Sequence, residues 1–143
     1  MQRILVATDG SAGADRAVDV AAQMAKVFGG TLRLLTIVEL PDSAAFEELK
    51  EIEHVSEGEI ADIAARATLV RAGDQARRLG TNQIQMQAEI GDPSEIILSI
   101  ALRRNADAVV LGKRGRGRLA GLLLGSVSQK IASLAPCSVV VVP

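Results

Sequence analysis

Residues 3–38 read RILVATDGSAGADRAVDVAAQMAKVFGGTLRLLTIV. A short apolar run over Arg3–Thr8 ends at Asp9-Gly10-Ser11, the pattern of a buried strand followed by a turn. Ala14, Ala17, Val18, Ala21, Met24, Ala25 and Phe28 then recur at helical spacing, and Gly29-Gly30 stops them. Thr31–Val38 is a second apolar run, broken at Leu40-Pro41-Asp42. Strand, helix and strand in 36 residues (3 to 38) are one crossover unit. Such a unit joins two parallel strands and turns to the right.

The same alternation continues outward. Residues 43–55 are acidic, with Glu47, Glu48, Glu51 and Glu53 beside the lone His54, and read as a solvated segment. Ser56 with Glu59 has the form of a capping box. Ile60, Ile63, Ala64 and Ala67 mark the helix behind it, which runs to about Leu79 and leaves through Gly80-Thr81-Asn82. Ile84, Met86, Ala88 and Ile90 alternate with Gln85, Gln87 and Glu89, a strand with one wetter face at a sheet edge. Asp92 is a helix N-cap, with Pro93 at the first helical position, Glu95 at the third, and Ile96, Ile97, Ile100 and Ala101 as the buried stripe. Asp107–Leu111 is a fourth strand. Ser126 with Gln129 is read as a further capping box opening a helix through Val127, Ile131 and Leu134. Pro136 ends it, and Ser138–Val142 is the fifth strand. Five strands alternating with four helices imply an α/β fold: one open parallel sheet with helices on both faces.

Composition narrows the function. The chain has 143 residues, 16 Lys plus Arg against 17 Asp plus Glu, and a formal net charge of -1. That length suits a single domain over 1–143, and that charge gives no general attraction to nucleic acid or membranes. Phe28 and Phe46 are the only aromatics, too few for base-stacking platforms or a flavin sandwich. Cys137 and His54 stand alone, so neither a disulfide, a CxxC pair nor a histidine triad has its parts. Cys137 reads as a small core residue and His54 as an exposed loop residue. No signal peptide and no apolar run near about 18 residues is evident, which makes the cytoplasm the expected compartment.

The chemistry concentrates after the fourth strand, in Gly112-Lys113-Arg114-Gly115-Arg116-Gly117-Arg118, then Leu119–Leu124 and Gly125-Ser126. This segment leaves the carboxyl end of a strand and ends at a helix start, where open parallel sheets bind ligands. Glycines let the backbone approach phosphate oxygens, a helix N-terminus offers unpaired N–H groups, and four cations lie within 113–118. A phosphate-binding loop is the reading this favours over a merely solvated one. It is not a Walker A motif, because GxxxxGK[ST] is absent, and the first turn, Thr8-Asp9-Gly10-Ser11-Ala12-Gly13, is not GxGxxG. Asp9 suits two roles at once: a cap or turn residue for the first helix, and a ribose or metal contact at the mouth of the sheet.

Gly112, Gly115, Gly125 and Ser126 fit G-x2-G-x9-G-[ST], and with ILVATDGS, GDPSEIIL, DAVVLG and APCSVVVVP the chain resembles the universal stress protein family. The resemblance covers everything except 43–55. It implies strand order 3-2-1-4-5 and ATP, with Mg²⁺ or Mn²⁺, bound between strands 1 and 4. It implies Ala7, Thr8 and Asp9 along the nucleoside, although Ala7 stands where the family often has proline. Val38 would meet adenine through its backbone, and Leu111 and Gly112 would border the ribose. Gly115, Gly125, Ser126 and Val127 would hold the phosphates, with Arg114 and Arg116 as added contacts outside the core pattern. It also supports a homodimer through the edge strand Ser138–Val142.

The function expected is an ATP-binding regulatory protein. The alternatives are a nucleotide-free dimeric adaptor of the same fold and a slow ATP hydrolase. Fast phosphoryl transfer needs a metal clamp and a group that positions the nucleophile, and Asp9 is the one obvious acid at the sheet mouth.

Overall fold

A computed structural model describes residues 1–39, 47–48, 51, 56–113 and 124–143. Its strands are the β-branched and leucine-rich runs: β1 (Arg3–Ala7), β2 (Thr31–Val38), β3 (Ile84–Ile90), β4 (Ala108–Gly112) and β5 (Ser138–Val142). Between them lie α1 (Ala12–Phe28), α2 (Glu57–Arg78), α3 (Pro93–Arg103) and α4 (Ser126–Leu134). All strand pairs are parallel, and the order is β3-β2-β1-β4-β5. β1 is central, with Val6 opposite both Leu34 of β2 and Val110 of β4. The chain first builds outward from β1 through β2 to β3, then returns to lay β4 on the other side. The order therefore reverses between β1 and β4.

Side chains alternate across each strand, and this divides the core in two. Ile4, Val6, Leu32, Leu34 and Val110 face α1 and α2, packing with Ala17, Val18, Ala21, Leu69 and Ala76. Leu5, Leu35, Val109 and Leu111 face the other way, against Ile97, Ile100, Ala101 and Ile131 of α3 and α4. The alanine face of α1 has little side chain to hold the helix away from the sheet. Its apolar stripe stops at Ala25, for Phe28 is 47% exposed and Gly29 turns the chain left-handed at φ 63°.

Three expectations need correction. The buried face of α2 is Ala61, Ala65, Leu69, Ala72 and Ala76, not Ile60, Ile63, Ala64 and Ala67. Ile63 is 68% exposed. The sequence carries two stripes of the same period side by side, and the smaller residues win because α2 packs closely on the sheet. Gly73 shows how closely: a Cβ there would collide with the Met86 side chain of β3. Second, Asp107 precedes β4 rather than opening it. Its carboxylate accepts the backbone N–H groups of Gln2 and Arg3, each at 2.8 Å, and so fixes the start of β1. Third, Ser126 does not cap α4; Gly125 is the N-cap. Cys137, read as a small core residue, is half-buried against the α3/α4 core, one residue before β5. Glu47, Glu48 and Glu51 are helical and exposed, whereas Glu53, His54, Arg114, Gly115, Arg116, Gly117 and Arg118 lie outside the described residues. No helix among the described residues is long and apolar enough to cross a membrane.

Candidate functional site

The β1–α1 turn is tied at every step. The Thr8 N–H donates to the Leu35 carbonyl at 2.8 Å, and the buried Thr36 hydroxyl donates to the Thr8 carbonyl at 2.9 Å. The Asp9 carboxylate accepts the Ser11 N–H at 2.9 Å, an Asx turn, and the Ser11 hydroxyl accepts the Ala14 N–H at 3.2 Å. Ser11 is therefore the cap of α1 and Asp9 is the turn residue before it. Gly10 has φ 79°, a conformation side chains disfavour. Arg71 of α2 clamps the turn from outside, donating to the Gly10 carbonyl at 2.9 Å and to Asp15 at 3.0 Å.

Across the reversal point, β4 ends at Gly112 against the first turn of α1. A Cβ on Gly112 would lie 3.0 Å from both the carbonyl carbon and oxygen of Gly13 and 3.3 Å from the Ala14 nitrogen. Only a glycine lets the two backbones come this close. The Ser128 hydroxyl holds the Gly112 carbonyl from the other side at 2.8 Å. Lys113 donates to the Val142 carbonyl at 2.6 Å and accepts the Gly125 N–H at 2.8 Å, so the segment 114–123 departs and returns at a closed base.

The start of α4 differs from the other helix starts. Ser11, Ser56 and Asp92 each accept a first-turn N–H through a side chain. Gly125 has no side chain to do this, and α4 has no side-chain cap bond. The first turn of α4 thus has no side-chain cap, and its residues Ser126 and Val127 line the crevice at the positive end of the helix dipole.

A cavity of ≈ 760 Å³ lies between these parts. It is the right size for a small-molecule site. The structure gathers Ala7, Thr8, Asp9, Val38, Leu111, Gly112, Gly125, Ser126 and Val127 along its wall. Arg114 and Gly115 belong to the undescribed segment. Its apolar sides are Leu35, Ile37, Leu111 and Ile97, and its polar groups include Thr8, Asp9, Thr36 and Ser126. Ile37, Glu39, Ala64, Thr68, Pro93 and Ile97 also line it and were not legible as site residues. Pro93 reads in sequence only as a helix start, and Ala64 only as core. The signal was topological: each sits on the carboxyl-end side of the sheet. The Val38 carbonyl accepts the Gly91 N–H at 3.3 Å, which anchors this corner to the end of β3. Among the described residues no group of three histidine, cysteine or acidic side chains is arranged to hold a metal.

A family model described as "Universal stress protein family" matches residues 1–143. The chain belongs to the universal stress protein family. A universal stress protein of Thermus aquaticus is 36% identical over 97% of this chain and 96% of its own length. One from Mycobacterium tuberculosis is 30% identical over 97% of this chain and 94% of its own. Among solved structures, a universal stress protein in complex with cAMP superposes with a TM-score of 0.78 at 27% identity, covering 99% of this chain and 97% of that one. Family membership accords with the sheet order, while the fine chemistry of the crevice rests on this chain's residues.

Proposed function

We propose that this universal stress protein binds ATP in the cavity between β1 and β4 and acts in the cytoplasm as a nucleotide-dependent regulatory protein. The uncapped start of α4 opening into that cavity carries the reading. It supplies preorganised donors and a partial positive charge where a phosphate would sit, with no side chain in the way. The likeness to a family structure solved with cAMP supports an adenine nucleotide in the corresponding place.

In this reading the roles are those that the resemblance to the family implies. Ala7, Thr8 and Asp9 line the nucleoside, Val38 presents backbone to the base, and Leu111 and Gly112 border the ribose. Gly125, Ser126 and Val127 hold phosphate, joined by Gly115, Arg114 and Arg116 from the segment beyond Lys113. A bound Mg²⁺ or Mn²⁺ would neutralise charge on the phosphates; the acids lining the cavity are Asp9 and Glu39. Among the described residues the wall carries no further acid and no histidine or lysine, which favours a chain that holds ATP over one that turns it over rapidly. Calorimetric titration with ATP, ADP, AMP and cAMP tests the proposal, alongside mass spectrometry of the nucleotide that co-purifies. Tightest binding of ATP is expected; the absence of heat or thermal shift at millimolar nucleotide would refute it and favour the nucleotide-free adaptor.

We infer also a homodimer through β5. This strand lies at the sheet edge opposite β3 and offers an unpaired row of backbone groups. Val140 and Val142 already pack into the α1/α2 core and Val139 into the other, so these serve the fold. Val141→Lys changes a half-buried residue outside both clusters. It is expected to convert the dimer to a monomer by light scattering, and a wild-type monomer at tens of micromolar would refute the assembly.

A further inference from the structure

A second cleft, of ≈ 330 Å³, opens at the opposite end of the sheet. Arg3 of β1, Arg33 of β2 and Arg104 just after α3 line it, with Ile4, Leu5, Ile100 and Ala106 as apolar lining. We propose that this cleft is a separate binding site for a phosphate-bearing anion, held between Arg33 and Arg104.

Three observations carry it. First, the guanidiniums outnumber the carboxylates. Arg3 is paired with Asp107 at 3.6 Å, but neither Arg33 nor Arg104 has an acidic partner among the described residues. Glu89 of β3 accepts instead from the Gln87 amide at 2.8 Å. Second, Arg33 is positioned without being neutralised. Its two terminal nitrogens donate to the side-chain carbonyls of Gln87, at 2.9 Å, and of Gln85. Neutral acceptors fix the plane of the guanidinium and leave its charge unmatched, which prepares it for an oxyanion. Third, the two free arginines work against each other. Burial first, and the Arg104 charge second, push the Arg33 guanidinium below the ordinary arginine value. An anion between them would turn that repulsion into two attractions.

The charge selects the ligand class. Three arginines against one aspartate leave an excess of two positive charges, which suits a phosphomonoester or diphosphate dianion better than a single carboxylate. The site is independent of the nucleotide cavity. The two lie at opposite ends of β1, about 13 Å apart along the strand at the usual rise per residue.

Inorganic pyrophosphate is the probe, added to the intact protein at constant ionic strength. The arginine Nε–H signals are followed by NMR together with the backbone amides of Ser126 and Val127. Movement of the Arg33 and Arg104 signals is expected, with affinity reduced about tenfold or more in Arg104→Gln. Arg104 is exposed, so this variant is expected to fold as the wild type does. Three results would overturn the proposal: arginine signals that stay still at millimolar pyrophosphate, movement reproduced by chloride alone, or unchanged affinity in Arg104→Gln. Because the signals are local, failure of the ATP proposal leaves this test intact. Pyrophosphate that moves only the Ser126 and Val127 amides counts against the cleft.

Discussion

Replacing Gly112 with alanine adds one methyl group at the most crowded point of the crevice. The new carbon would meet the Gly13 carbonyl carbon and oxygen at 3.0 Å and the Ala14 nitrogen at 3.3 Å. All three are backbone atoms, so no side chain can swing aside. β4 cannot retreat easily either, since Ser128 holds the Gly112 carbonyl at 2.8 Å and Gly112 is in register with Val142. Relief must come from moving α1 and β4 apart by a few tenths of an ångström, which widens the crevice where β1 and β4 diverge. Overpacking of this kind costs about 1–3 kcal/mol. A chain of this size has an unfolding entropy near 0.3 kcal/mol/K, so Tm is expected to fall by about 3–10 °C. Gly58→Ala is the matched control: its Cβ would meet only the Ser56 hydroxyl, at 3.9 Å, and alanine favours a helix by about 0.5–1 kcal/mol. Thermal denaturation followed by circular dichroism compares the two variants with the wild type. A Gly112→Ala protein that melts within about 1 °C of wild type, under 0.3 kcal/mol, would refute the claim that this glycine is required by backbone approach.

Gly125→Val should place a branched side chain at the start of α4, lowering ATP affinity about tenfold, or 1.4 kcal/mol, in calorimetry. A variant that folds and binds as tightly as wild type would remove α4 from the phosphate assignment. Backbone hydrogen bonds from Arg3 and then Gln2 hold the Asp107 carboxyl below the usual aspartate value. The native state thus binds that proton less tightly than the unfolded chain. The resulting stability is present above about pH 4, the unfolded value, and lost as pH falls below it. Asp107→Asn should flatten this acid-side decline in denaturant melts between neutral pH and the acid limb; an unchanged slope would contradict it. Burial, with Asp107's charge second, pushes the Cys137 thiol up. Its alkylation by iodoacetamide at mildly alkaline pH should be slower than that of the unfolded chain, and equal rates would contradict the assignment.

Much of this architecture could be read from spacing alone. β2 and β5 have the bounds read from their apolar runs, and Asp92-Pro93-x-Glu95 marked the start of α3 through the bond the structure shows, Asp92 accepting the Glu95 N–H at 3.0 Å. α2 was harder because its two stripes have equal periodicity and differ only in residue size. That difference matters once a sheet lies beneath, which local sequence does not express. At the site, Asp9 was singled out by turn chemistry and Gly112, Gly125 and Ser126 by glycine spacing, whereas Ala7, Thr8 and Val38 came only through the family resemblance, and all of them line the cavity. Ala64 and Thr68 were not legible, since the turn of α2 that carries them is set by packing against distant β3. Ser126 was read as the cap of α4 from its spacing to Gln129, but the cap is Gly125, whose carbonyl accepts the Gln129 N–H at 3.0 Å.

The closed base beneath 114–123 has a consequence for the pocket wall. Lys113 is joined to both Val142 and Gly125, so the two chain ends of the segment are anchored to the sheet and to each other. Those two backbone bonds hold the end of β4, the end of β5 and the start of α4 in one frame, so the wall formed by Gly112, Gly125 and Ser126 keeps its shape through bonds that lie outside 114–123.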